Sequence, residues 1–115
     1  MTVTIENLQA YLFDHYGGRA NEQGMFMKLV EEMGEVAEVL NKRTGRKATE
    51  NEDLDTQLGE ELADMIHYIV AIAALNGLPL EQIMLDKDIR ASKKYGHDIN
   101  LTQFIEGKQE KSPLA

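Results

Sequence analysis

Four carboxylates in two matched pairs are the residues of this sequence best placed to do chemistry: Glu32 with Glu35, and Glu61 with Asp64, each spaced i, i+3. On a helix turning about 100° per residue, Glu32 falls at the edge of an apolar stripe, one turn after Leu29 and one before Val36. Glu35 lies beside it, whereas Glu31 and Glu38 point toward solvent. Glu61 repeats the arrangement at the margin of the stripe Leu54, Leu58, Met65 and Ile72, with Asp64 next to it and Glu60 turned outward. Two antiparallel helices joined by a short loop would bring these edges together, and four negative charges in a partly apolar setting repel one another. Cations resolve that conflict. Oxygen-only ligands favour hard ions, Mg²⁺, Mn²⁺ or Ca²⁺, and two divalent ions neutralise four carboxylates in full. The implied chemistry is polarisation of a phosphate and activation of water for attack on phosphorus, with Glu32, Glu35 or the neighbouring Glu38 open as general base.

Charged residues at i, i+3 also serve simply to solvate helix faces, often paired with lysines such as Lys28, but two pairs at matching edges of consecutive helices argue against that. His67, three residues after Asp64, raises a di-iron alternative. That site needs a Glu-x-x-His pattern on each of two helices, and His67 falls away from the apolar stripe, as a surface histidine would. A basic stripe answers the acids: Lys87, Arg90 and Lys94 share the face begun by Leu80 and Ile83, an inward-leaning position that suits a polyphosphate, with Arg90 offering paired donors. Snorkelling lysines are the plainer reading of the same stripe. Tyr95 ends that stripe and Phe13, His15 and Tyr16 end the first helix; all could stack on a base, with core packing the expectation. Lys42, Arg43, Arg46 and Lys47 form a basic, solvated loop between the carboxylate helices, and Gly17-Gly18-Arg19 is too short for a phosphate-binding loop.

The elements that must position these groups are helices, because apolar residues recur at helical spacing almost throughout and alternating, strand-like runs are missing. The expected helices cover residues 4–16, 21–42, 53 to 76–77 and 79–95, followed by a short amphipathic piece around Leu101, Phe104 and Ile105. The inward residues expected on the second are Phe26, Leu29, Val30, Met33, Val36, Ala37 and Leu40. On the third they are Leu54, Leu58, Leu62, Met65, Ile66, Ile69, Ile72 and Ala73. A single domain over residues 1–106, with a frayed tail over 107–115, is the expected organisation. With 43% hydrophobic residues, 115 residues suffice for one core. The absence of cysteine excludes disulfides and thiolate metal sites. Twelve basic against twenty acidic residues give a charge of −8, which argues against nucleic-acid binding. The N-terminus lacks a signal-peptide pattern, and the longest apolar stretch, residues 65–75, is too short to span a bilayer, so a soluble cytoplasmic protein with no membrane partner is expected.

The motifs Glu31-Glu32-Met33-Gly34-Glu35 and Glu61-Leu62-Ala63-Asp64 resemble the Glu-Glu-x-x-Glu and Glu-x-x-Asp signature of the MazG-type all-α nucleoside triphosphate pyrophosphohydrolases. The flanking contexts Lys28-Leu29-Val30-Glu31-Glu32 and Glu60-Glu61-Leu62-Ala63-Asp64 are similar as well, and the likeness covers roughly residues 25–95. The resemblance implies a four-helix fold whose core is completed by oligomerisation, as a homodimer or a tetramer built from two dimers. It further implies Mg²⁺ ligation by Glu32, Glu35, Glu61 and Asp64, with Mn²⁺ as a possible substitute, and hydrolysis of a (deoxy)nucleoside triphosphate between its α- and β-phosphates. Lys28, Lys87, Arg90, Lys94 and Tyr95 are the substrate-binding set expected with it. Family members often carry a Lys-Phe-x-x-Arg-Phe-like segment; here Arg90-Ala91-Ser92-Lys93-Lys94-Tyr95 keeps the charge and the last aromatic, but Ala91 replaces the first. House-cleaning of the nucleotide pool is the leading function. A phosphoribosyl-ATP pyrophosphohydrolase and a non-catalytic helical dimerisation module are the alternatives.

Overall fold

Side-chain caps start most of the helices of the computed structural model, which describes residues 1–18, 21–45 and 53–110, with side chains through residue 108. Arg19, Arg46, Lys47 and the last five residues lie outside the described residues. Thr4 and Asn7 form a capping box that starts α1 (Ile5–Tyr16), and Gly17, at φ 55°, ends it in the left-handed conformation that glycine tolerates best. Asn21 caps α2 (Glu22–Arg43) by accepting from the Gln23 and Gly24 N–H groups, and Lys42 and Arg43 lie in its last helical turn rather than in a loop. Asp53 caps α3 (Leu54–Leu75); hydrogen bonds from the Thr56 hydroxyl and N–H hold its carboxyl below the usual range. The described residues contain α-helices and no strand, so the chain is all-α.

By packing the chain divides into two units, residues 1–78 and 79–115. In the first, α2 and α3 form an antiparallel hairpin: Arg43 Nη2 lies 3.6 Å from Asp55 Oδ1 at one end, and Asn76 donates to Glu22 at the other. The internal line of α2 is Met25, Leu29, Glu32, Val36 and Val39, buried or half-buried at i, i+4, i+7, i+11 and i+14. Of the residues expected inward on α2, Phe26, Val30, Met33, Ala37 and Leu40 are instead exposed, and so are Leu62, Ile66 and Ile69 on α3. Each helix is apolar on two faces about 100° apart, and periodicity does not tell which one the hairpin uses. The correction moves Glu32 from the edge of the packed line into its middle. Helix α1 packs on α3, with Leu12, Val70 and Ala71 almost wholly excluded from solvent.

The second unit is a helix pair, α4 (Leu80–Tyr95) and α5 (Leu101–Glu110). The amphipathic piece expected after Gly96 is thus a full helix that continues to Glu110, past residue 107, the expected start of the frayed tail. Asn100 and Gln103 cap α5 reciprocally, and Asp88 Oδ2 accepts from the Leu101 N–H at 2.6 Å, tying α5 to α4. That bond turns the Leu85, Asp88 and Ser92 line of α4 inward. The Lys87, Arg90 and Lys94 stripe falls on the opposite side and is exposed, correcting its expected inward lean. Tyr95 and Phe13 are exposed too, not core residues.

Candidate metal centre

The α2–α3 hairpin brings the two acidic edges together as their spacing demanded. Glu32, Glu61 and Asp64 each offer a carboxylate oxygen, and these oxygens all lie within 4.8 Å of one another. Glu35 stands close enough to interact with Glu61. Glu32 and Glu61 are half-buried, whereas Glu35 and Asp64 are exposed, so the centre has a desolvated floor and an open rim. Glu32 Oε2 and Glu61 Oε2 are both buried without a hydrogen-bond partner. An ionised oxygen in that position is unfavourable, because neither water nor a donor compensates its charge. A divalent cation removes the conflict, and the all-oxygen donor set fits a hard ion.

Without a cation, a proton performs part of that service. Bonding of a Glu61 proton first to Glu32 and next to Glu35, together with partial burial and the adjacent negative charges, pushes Glu61 up to about 8. An acid whose pKa is raised on folding keeps its proton longer in the native state, so its contribution to stability is complete below the ordinary value of 4.5 and is lost as pH rises through about 8. The melting temperature of the metal-free protein is therefore expected to fall between pH 5 and 8. Saturating Mg²⁺ should flatten that slope; parallel slopes with and without Mg²⁺, measured by differential scanning calorimetry, would count against the centre.

The remaining site expectations divide. Lys28 pairs with Glu31 at 3.4 Å, both well exposed, and so does not neutralise the cluster. Glu38 is exposed and lies 3.9 Å from Lys42. Lys87, Arg90 and Lys94 are solvent-facing on α4, where the Lys94 ammonium sits 5.4 Å from the Tyr95 ring centroid. His67 is not a surface residue: it is half-buried, and its Nε2 lies 2.6 Å from the Tyr16 hydroxyl. Burial, with Tyr68 and Tyr11 nearby, raises the Tyr16 pKa, so the phenol keeps its proton, and which partner donates is set by the imidazole tautomer. His15 and Tyr68 extend the contact into a chain of rings with Tyr11, Tyr16 and His67. A signal for this lay in the sequence, since Tyr16 continues the Leu8 and Leu12 stripe at i+4.

Among the described residues the chain is thus all-α, five helices with an acidic cluster across the α2–α3 hairpin. The family described as MazG nucleotide pyrophosphohydrolase domain matches residues 20–95, which contain both acidic motifs. The chain belongs to that family. It is 31% identical over 84 residues to the uncharacterized protein YpjD of Bacillus subtilis (strain 168), a match covering 69% of this chain and 75% of that protein. No solved structure matches the chain. Among the described residues, no single helix is long and apolar enough to cross a membrane.

Proposed function

We propose that this protein is a Mg²⁺-dependent hydrolase that cleaves a (deoxy)nucleoside triphosphate between its α- and β-phosphates, releasing the monophosphate and pyrophosphate as a nucleotide-pool house-cleaning enzyme. The pair of buried, partnerless oxygens on Glu32 and Glu61, within one carboxylate cluster, carries this reading. Glu32, Glu35, Glu61 and Asp64 would hold the metal, with Mn²⁺ able to replace Mg²⁺. When bound, the metal supplies positive charge that offsets the carboxylates and polarises the phosphates. Glu32, Glu35 or Glu38 takes the proton of the attacking water as the anhydride bond breaks. Lys87, Arg90 and Lys94 are free of burial and suited to a polyanion, Tyr95 supplies an exposed ring, and Lys28 adds charge one turn before Glu32.

The assembly belongs to the same reading. Phe26, Val30, Met33 and Leu40 on α2, with Leu62, Ile66 and Ile69 on α3, leave seven large apolar side chains exposed on helix faces turned from the carboxylates. A second copy of the chain covers them, in a homodimer or a tetramer of two dimers, in the cytoplasm.

Pyrophosphate release from a panel of standard, damaged and phosphoribosylated nucleoside triphosphates tests the activity. Glu35→Gln and Asp64→Asn should each remove it while circular dichroism stays unchanged; full activity in either would refute the ligand set. Arg90→Ala should weaken triphosphate binding more than Mg²⁺ binding, and equal effects on both would end its phosphate role. A wild type that hydrolyses none of the panel and binds no Mg²⁺ would point to the dimerisation module.

A further inference from the structure

Helix α1 approaches α3 over a shallow surface. Ala71 and Ala74 are buried beside Val70 on the face of α3 that also carries His67, and alanines raise only low ridges, so this face by itself does little to hold α3 against a small rotation about its own axis. Rotation matters because the metal centre is split between helices, with Glu32 and Glu35 on α2 and Glu61 and Asp64 on α3. A carboxylate about 6 Å from a helix axis moves about 1 Å for a 10° roll. That exceeds the tolerance of about 0.5 Å within which a site must be held.

Glu61, Asp64 and His67 follow at steps of three, each about 60° round from the last, so His67 is the next position along the edge that carries the ligands. There the Tyr16 hydroxyl, at the last residue of α1, grips it at 2.6 Å, with the two rings edge to face at 5.8 Å. Two turns earlier on α1, Gln9 donates to the Leu78 carbonyl, just past the end of α3. The first helix is thus tied to the α3 region at two points, and the Tyr16 tie is one turn from Asp64.

We propose that Tyr16 is a positioning residue: through its hydrogen bond to His67 it fixes the roll of α3, and with it the placement of Glu61 and Asp64 against Glu32 and Glu35. This rests on the carboxylates being the metal centre. The hydroxyl stands on α1, away from the carboxylates, and its effect reaches the metal only through helix placement.

Mn²⁺ binding, followed by calorimetric titration of the full chain, separates this role from simple stabilisation. Tyr16→Phe, which deletes one oxygen and keeps the ring, should weaken Mn²⁺ binding about tenfold and lower kcat in proportion, leaving KM for the triphosphate within about twofold. His67→Gln, whose amide oxygen accepts the phenol proton near the place of Nε2, should restore near wild-type affinity, whereas His67→Ala should match Tyr16→Phe. The double variant Tyr16→Phe/His67→Ala should be no worse than either alone. Wild-type Mn²⁺ affinity in Tyr16→Phe, even with a lowered melting temperature, would overturn the role, as would losses that multiply in the double variant. A wild-type chain that binds no Mn²⁺ would overturn the metal centre and this role together; one that binds it normally alongside an unaffected Tyr16→Phe overturns only the role.

Discussion

Glu61→Gln is expected to give a protein that is more stable without metal and almost inactive with it. The substitution replaces the most crowded acid of the cluster with a permanently neutral amide that can donate to the orphaned Glu32 Oε2. At neutral pH the wild type must take up a proton on folding to keep Glu61 uncharged, a cost the amide does not carry, so the metal-free melting temperature should rise above that of the wild type. The same change deletes a ligand. If the metal contributes about 4 kcal/mol of transition-state charge stabilisation, its loss corresponds to about 10³-fold in the rate of pyrophosphate release. Calorimetry and a pyrophosphate assay on one preparation read both effects. A variant that is less stable without metal, or that retains wild-type activity, contradicts the account of Glu61. The opposing signs are the informative part, because a general folding defect would lower both quantities.

Ile66→Glu is expected to break the assembly while leaving the protomer folded. Ile66 is 48% exposed in the single chain, so a carboxylate there meets water and little internal packing is lost. In an oligomer that covers the α2–α3 apolar face, the same carboxylate is buried without a partner, a cost of several kcal/mol that raises the dissociation constant by about a hundredfold or more. Sedimentation should show the monomer at concentrations where the wild type is a dimer or tetramer. Circular dichroism should remain helical. An unchanged assembly mass would show that this face is not the interface. Met33→Glu, on the matching α2 line and also exposed, provides an independent check.

Helix positions were readable because their signals are local. Thr4, Asn21 and Asp53 cap their helices through side chains a few residues from the N–H groups they satisfy, and Gly17 and Gly96 end helices because their left-handed φ suits no other residue as well. The spacing of Glu32, Glu35, Glu61 and Asp64 on two consecutive helices was likewise local, and a short connection between such helices leaves an antiparallel hairpin as the economical arrangement. Glu32, Glu61 and Asp64 meet for that reason. The basic stripe was harder. Lys87, Arg90 and Lys94 do share a face, but which way it turns depends on a bond between Asp88 and the start of α5, thirteen residues away.

The sequence by itself therefore determined an all-α chain, the approximate bounds of its first four helices and the two carboxylate pairs, since each depends on spacing within a few turns and on the chemistry of single residues. Only the tertiary structure decided which of two apolar faces each hairpin helix buries, putting Glu32 within the packed line and leaving Phe26, Met33 and Ile66 outside. It also joined Tyr16 to His67 across 51 residues of sequence. The physical reason is the same in both cases. Hydrophobic burial carries no direction of its own, so a helix apolar on two sides is oriented by its neighbours, and a hydrogen bond between distant helices exists only once that orientation is set.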